Sequence, residues 1–214
     1  MTAVVGDAPD MWRQGVGFFA PVGPWASDAG MERLNSKRDL ERAKREIIAA
    51  GYKGEKVVIL IPTDIGSLKA YGDVGADLFK RIGLNVDAQY MDWGTMVQRL
   101  ARQDAAEQGG WNAFHSNWSG MDQMDPAVNT SLRANGRRGR VGWPDSPRLE
   151  ELRDAWLAAG SVEEQKRLAR EIQLQAFEDV PYIPLGQFYS PMAYRKNVTG
   201  VLEGYPLFWN VRKG

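Results

Sequence analysis

The 214-residue chain has no cysteine and a single histidine, His115. That excludes disulfides, thiolate metal sites, a thiol nucleophile and the usual zinc donor sets. It leaves the compartment open, because many exported proteins also lack cysteine. Nor is charge of one sign in excess. Lys plus Arg and Asp plus Glu stand at 27 each, so no net field steers the chain onto nucleic acid or an anionic membrane. The longest uninterrupted aliphatic run is residues 57–61, far short of the roughly 20 residues that cross a bilayer. No membrane insertion of this chain is expected. The first ten residues, M-T-A-V-V-G-D-A-P-D, carry no basic region followed by an apolar stretch, and so no secretory signal. A phosphate-cradling G-x-x-x-x-G-K-[ST] is missing, as is the nucleophile elbow G-x-S-x-G. No cofactor and no metal are expected.

What is present is an alternation of helical and strand periods. Leu40, Ala43, Ile47 and Ala50 recur at helical spacing after the capping-box spacing S-K-R-D at 36–39, and Gly51 follows. A strand is predicted over 56–61, a helix over 67–82 and a strand over 84–90, with Leu84, Val86, Ala88 and Tyr90 alternating. That is a βαβ unit, which implies parallel strands and a right-handed crossover. Its first turn has no G-x-G-x-x-G. A helix near 95–103, a strand over 111–116, and helices near 147–159 and 162–178 continue the pattern. Residues 1–36 are rich in Gly, Pro and aromatics without a sustained period, and read as ordered irregular structure on a core. So long an apolar loop is unusual in a self-contained domain, and suggests a start inside a larger architecture. From Pro181 the chain turns extended, proline-punctuated and aromatic. Phe188, Tyr189, Tyr194, Leu207, Phe208 and Trp209 in this tail are expected to be poorly covered.

Three strand-like runs end in polar or aromatic residues. Residues 57–61 stop at Pro62-Thr63-Asp64, the second run stops at Asp92-Trp93, and the third runs W-N-A-F-H-S-N-W-S-G-M-D-Q-M-D-P from Trp111 to Pro126. In open α/β sheets, ligands bind beyond the carboxyl ends of the strands. Trp93 and Trp118 can supply flat walls of large area and few rotors, or can pack in the core. Asp122 can anchor a cation or cap a helix; Asp125 is expected to cap a helix beginning near Pro126, and Asp64 and Asp92 to serve as turn or cap residues. Trp143, framed by Gly142 and Pro144, can line a cleft or pack its loop. Trp12, Trp25, Trp111, Trp156 and Trp209 read as packing residues. His115 reads as a partly buried imidazole with a satisfied hydrogen bond, and the R-R-G-R run at 137–140 as a solvated loop. An acid–base pair of Asp122 with Asp125 or Asp92 is the enzymatic alternative.

The segments D-L-E-R-A-K-R-E-I-I-A-A-G-Y at 39–52, I-G-L-N-V-D at 82–87, M-D-W at 91–93, G-W-N-A-F-H-S-N-W at 110–118, D-P at 125–126 and V-P-Y-I-P-L at 180–185 resemble, in order and spacing, the extracytoplasmic solute-binding proteins of ABC importers. The resemblance is to the dipeptide- and oligopeptide-binding class. It covers nearly the whole chain and implies an α/β lobe of a periplasmic-binding-protein-like (class II) fold, a mainly parallel sheet flanked by helices. Residues 1–186 would form lobe II, with 1–36 as an irregular lead-in. Residues 187–214 would form a return segment packed on a lobe I that this chain lacks, with Tyr189 flanking the hinge. The signal sequence of such an exported protein would lie in the missing N-terminal part. The resemblance also implies a small, peptide-like solute held between lobes and passed to a membrane permease, at a site of Trp93, Trp118, Ser119, Asp122 and Trp143. Asp122 would meet the solute's ammonium group. Met121 lengthens the usual spacing between that tryptophan and acid by one residue.

Overall fold

In the computed structural model, which describes residues 1–204 and 207–214, the apolar run after Gly54 becomes the middle strand of a three-stranded sheet. Seven elements precede or form that sheet's first crossover. They are α1 (Thr2–Val5), β1 (Trp12–Arg13), α2 (Glu32–Asn35), α3 (Leu40–Ala49), β2 (Lys56–Pro62), α4 (Gly66–Arg81) and β3 (Asn85–Met91). Then come α5 (Trp93–Leu100), β4 (Ala113–Phe114), α6 (Pro147–Ala158), α7 (Val162–Asp179), β5 (Gln187–Phe188), β6 (Val198–Thr199) and β7 (Arg212–Lys213). The sheet order is β3-β2-β4, with both pairings parallel, as the βαβ pattern predicts.

β2 is covered on both faces, which is why it is apolar throughout rather than alternating. Ile59 and Ile61 face Ala76 and Phe79 of α4, and Val58 and Leu60 face Met96 and Leu100 of α5. Gly72 lets α4 approach closely: a Cβ there would stand 2.7 Å from Ile61 Cγ2. β4 is shorter than the predicted 111–116 because Asn112 leaves the ladder pattern. Its side-chain Oδ1 accepts from Val58 N at 2.8 Å, while its own N–H donates to Val58 O at 2.9 Å.

Helix starts differ by a residue or more where the cap decides. α3 is capped by Asp39, which accepts from Arg42 N, and not by Ser36. α5 begins at Trp93 instead of near 95, because Asp92 accepts from Thr95 N and becomes its N-cap.

A second core lies away from the sheet, where α6 and α7 pack through Leu149, Leu152, Trp156, Leu168, Ile172 and Phe177. The lead-in belongs to this core. Phe18 and Phe19 are fully buried in it, and Trp25 meets Trp156 edge-on at 5.3 Å. Because an irregular backbone cannot satisfy itself, buried amides do so. Gln173 Nε2 donates to Ala29 O at 2.7 Å and to Ser27 O at 3.0 Å, and Asn129 Nδ2 donates to Phe18 O at 2.9 Å.

β1 and β5 form an antiparallel ribbon, Trp12 opposite Phe188 and Arg13 opposite Gln187. Beyond it the tail closes a small antiparallel pair, β6 with β7. Tyr194, Phe208 and Trp209 are bare, Phe208 at 74% and Trp209 at 84% exposure. Trp209 is therefore not a packing residue within the described structure. Phe188 and Leu207 are better covered than expected; Phe188 stands 6.5 Å from Tyr71 of α4, centroid to centroid.

Candidate functional site

The chain passes from β2 to β3 on one side of the sheet and returns to place β4 on the other. This reversal falls at the carboxyl ends of β2 and β4, the position where open α/β sheets hold ligands. The segment leaving β4 runs through His115 to Trp118 and into a 3-10 turn, Gly120–Gln123. Ser119 caps that turn, its hydroxyl accepting from Met121 N at 3.2 Å. Asp122 sits within the turn, exposed, and its carboxylate takes no hydrogen bond among the described residues. It is thus not a cap: Ser119 caps the turn that Asp122 sits in, and Asp125 the turn at Pro126.

Trp118 is 47% exposed, and its ring face is already occupied. The Arg140 guanidinium carbon lies 3.9 Å from the ring centroid, a close cation–π stack. Arg140 Nη1 also donates to Thr130 Oγ1 at 3.2 Å. The guanidinium is half-buried, which lowers its pKa, and the nearby Asp122 carboxylate opposes that lowering. Arg140 therefore belongs to a packed group with Trp118, Thr130 and Asp122, and not to a solvated loop. Arg137, its neighbour in the same run, is exposed and donates to Gln103 Oε1 at 2.6 Å.

The other tryptophans part from this group. Trp93 is half-buried against the Val58, Leu60, Met96 and Leu100 cluster. Trp143 is half-buried too, its ring 5.6 Å from that of Trp111. It has φ +48°, a left-handed conformation costly for a bulky residue, and its N–H donates to Arg140 O at 2.9 Å. The strained turn that ends at Trp143 is what fixes the Arg140 backbone.

The remaining acids are structural. Asp64 accepts from Trp93 N at 2.9 Å, and Asp92 accepts from both the Thr95 hydroxyl and its N–H, which lowers the Asp92 pKa. Asp125 accepts from Ala127 N and Val128 N at 2.8 and 3.1 Å. It caps a turn; the helix expected after Pro126 does not form. Asp92 and Asp125 are thus both engaged by backbone donors.

His115 lies against Gly75 of α4, where a Cβ would overlap the ring. Its Nδ1 is buried without a partner among the described residues, contrary to the satisfied imidazole predicted above. Burial lowers its pKa from the ordinary 6.5. The unfolded chain then binds this proton more readily than the folded one, so stability is complete above pH 6.5 and falls as pH drops below it. Urea denaturation between pH 7.5 and 5.5 should show this loss, and His115→Gln should flatten it.

No family model matches the chain. A probable peptide ABC transporter periplasmic-binding protein of Sinorhizobium fredii is 38% identical over 176 residues, covering 82% of this chain and 33% of that protein. The chain thus spans about a third of that relative's length. Among solved structures, a dipeptide-binding protein of Pseudoalteromonas in complex with Met-Leu superposes with a TM-score of 0.72 at 17% identity, over 96% of this chain and 41% of that one. The DppA periplasmic binding protein of Helicobacter pylori, in complex with a peptide, gives 0.71 at 19% identity, over 99% and 41%. The AgaA binding protein of Agrobacterium tumefaciens, in complex with agropinic acid, gives 0.73 at 15% identity, over 100% and 45%. The chain is thus similar in sequence to part of a probable peptide ABC transporter periplasmic-binding protein, and has the fold of part of the dipeptide- and peptide-binding proteins.

Proposed function

We propose that this chain supplies one lobe of a solute-binding component of an ABC import system, enclosing a small, peptide-like solute and presenting it to a membrane permease. The observation that carries the reading is the placement of Trp118, Asp122 and Arg140 at the strand tips beside the reversal of strand order. The site would comprise Trp118, Ser119 and Asp122, with Trp93 and Trp143 behind it as supports. The protein would work outside the cytoplasm and would bind its solute without converting it.

The β1–β5 ribbon supports the division at residue 186. It brings the entering and leaving segments side by side, as a hinge between two lobes requires. Residues 187–214 would then lie on the other lobe, covering Tyr194, Phe208 and Trp209. Mass spectrometry of small molecules released from the gently purified two-lobed protein tests the function. A solute recovered chemically unchanged after prolonged incubation is expected. Its conversion to a product would favour the carboxylate enzyme instead.

A further inference from the structure

A concavity of about 190 Å³ opens beside the Trp118–Arg140 stack, lined by Thr130, Arg133, Asn135, Arg138, Gly139 and Arg140. It holds three arginines and no acid. Their partners differ. Arg133 is committed to Glu150, with Nε to the two carboxylate oxygens at 3.1 and 3.0 Å and Nη2 to one at 2.9 Å. Burial alone would raise the Glu150 pKa, but hydrogen bonds from Arg133 and from Ala134 N–H lower it, so the pair is charge-balanced. Arg138 and Arg140 form no salt bridge among the described residues. Arg140 is half-buried all the same, bonded to a hydroxyl and stacked on an aromatic face, with the Asp122 carboxylate nearby but not hydrogen-bonded to it.

From this arrangement, and resting on the solute-binding reading, we infer that the site recognises a carboxylate-bearing solute through Arg140 and Arg138, not an ammonium group through Asp122. A partly desolvated guanidinium presents a fork of donors that matches a carboxylate, and water exclusion strengthens the contact. The aromatic face and nearby acid that would receive a ligand cation already receive Arg140. A solute ammonium would have to displace that guanidinium from Trp118, whereas an anion meets it in place.

The stack also fixes the geometry. Arg140 is held at its backbone by Trp143 N–H, at its face by Trp118 and at its edge by Thr130, so little side-chain freedom remains to be lost on binding.

The test is a nuclear magnetic resonance titration of this chain at pH 7 and constant ionic strength with three probes of one shape. These are sodium benzoate, neutral benzamide and benzylammonium chloride. Benzoate should move the Arg140 Nε–H and Trp118 indole N–H signals saturably, at least tenfold more tightly than benzamide, with no saturable response to benzylammonium. Arg140→Gln should abolish the response and Arg138→Gln, at an exposed position, should weaken it. Arg140→Lys keeps the charge and should recover only part, while Asp122→Asn, which removes the negative charge beside Arg140, should tighten benzoate binding. Thermal unfolding of each variant confirms that it remains folded. Saturable binding of benzylammonium that depends on Asp122 would overturn the inference and leave the solute-binding reading intact. Silence from all three probes would overturn it as well, whereas the solute-binding reading falls only if the released molecule is turned over.

Discussion

Replacing Phe18 by alanine should destabilise the protein by about 3–5 kcal/mol, the usual cost of emptying a fully buried aromatic site. Phe18 is 1% exposed and meets Phe177 and Tyr182 edge-on, each at 4.9 Å between centroids. Its carbonyl accepts from Asn129, so the backbone around it is pinned and cannot collapse into the cavity. Set against a typical total of about 5–15 kcal/mol, this loss is a large fraction of the stability. Urea denaturation followed by circular dichroism measures it. A loss below about 1 kcal/mol would mean that the lead-in lies on the α6–α7 core without supporting it.

Trp118→Ala should have the largest effect on binding, a loss of about 2 kcal/mol, or roughly thirtyfold in affinity, in the two-lobed protein with its released solute. The substitution removes an exposed wall and, with it, the surface that positions Arg140. Folding should be little affected, because an exposed cation–π contact contributes only about 0.5–1 kcal/mol. Trp93→Ala should behave in the opposite way, lowering stability before affinity, since its ring packs on Met96 and Leu100. Calorimetric titration beside thermal unfolding separates the two outcomes. Equal affinity of wild type and Trp118→Ala would remove Trp118 from the site.

The βαβ unit was legible because each of its elements carries its own period. Helix α4 and strands β2 and β3 lie within a residue or two of their predicted bounds, and covering of both faces of β2 explains its unbroken apolar run. The strand over 111–116 was legible only in part. Composition cannot show that Asn112 will spend its side chain on Val58, which shortens the ladder to Ala113–Phe114. The two-residue ribbons β1–β5 and β6–β7 left no periodic trace, being too short for one.

Within the site, Trp118 and Asp122 could be singled out because they follow a strand directly. Arg140 could not. It reaches Trp118 from 22 positions further along the chain, a separation that no local pattern records. The only signal was its membership of the R-R-G-R run, and that run reads as solvated because Arg137 and Arg138 are. The glycine and the strained Trp143 turn around Arg140 carried the missing clue, visible only once the φ of Trp143 was known.

Hydrogen exchange of the two-lobed protein, with and without its released solute, tests most directly whether the strand-tip face is the solute-binding face. New protection should concentrate in residues 116–122 and 138–143, with α6 and α7 unchanged. Protection that appears on the α6–α7 face while both of those segments exchange as before would contradict the account.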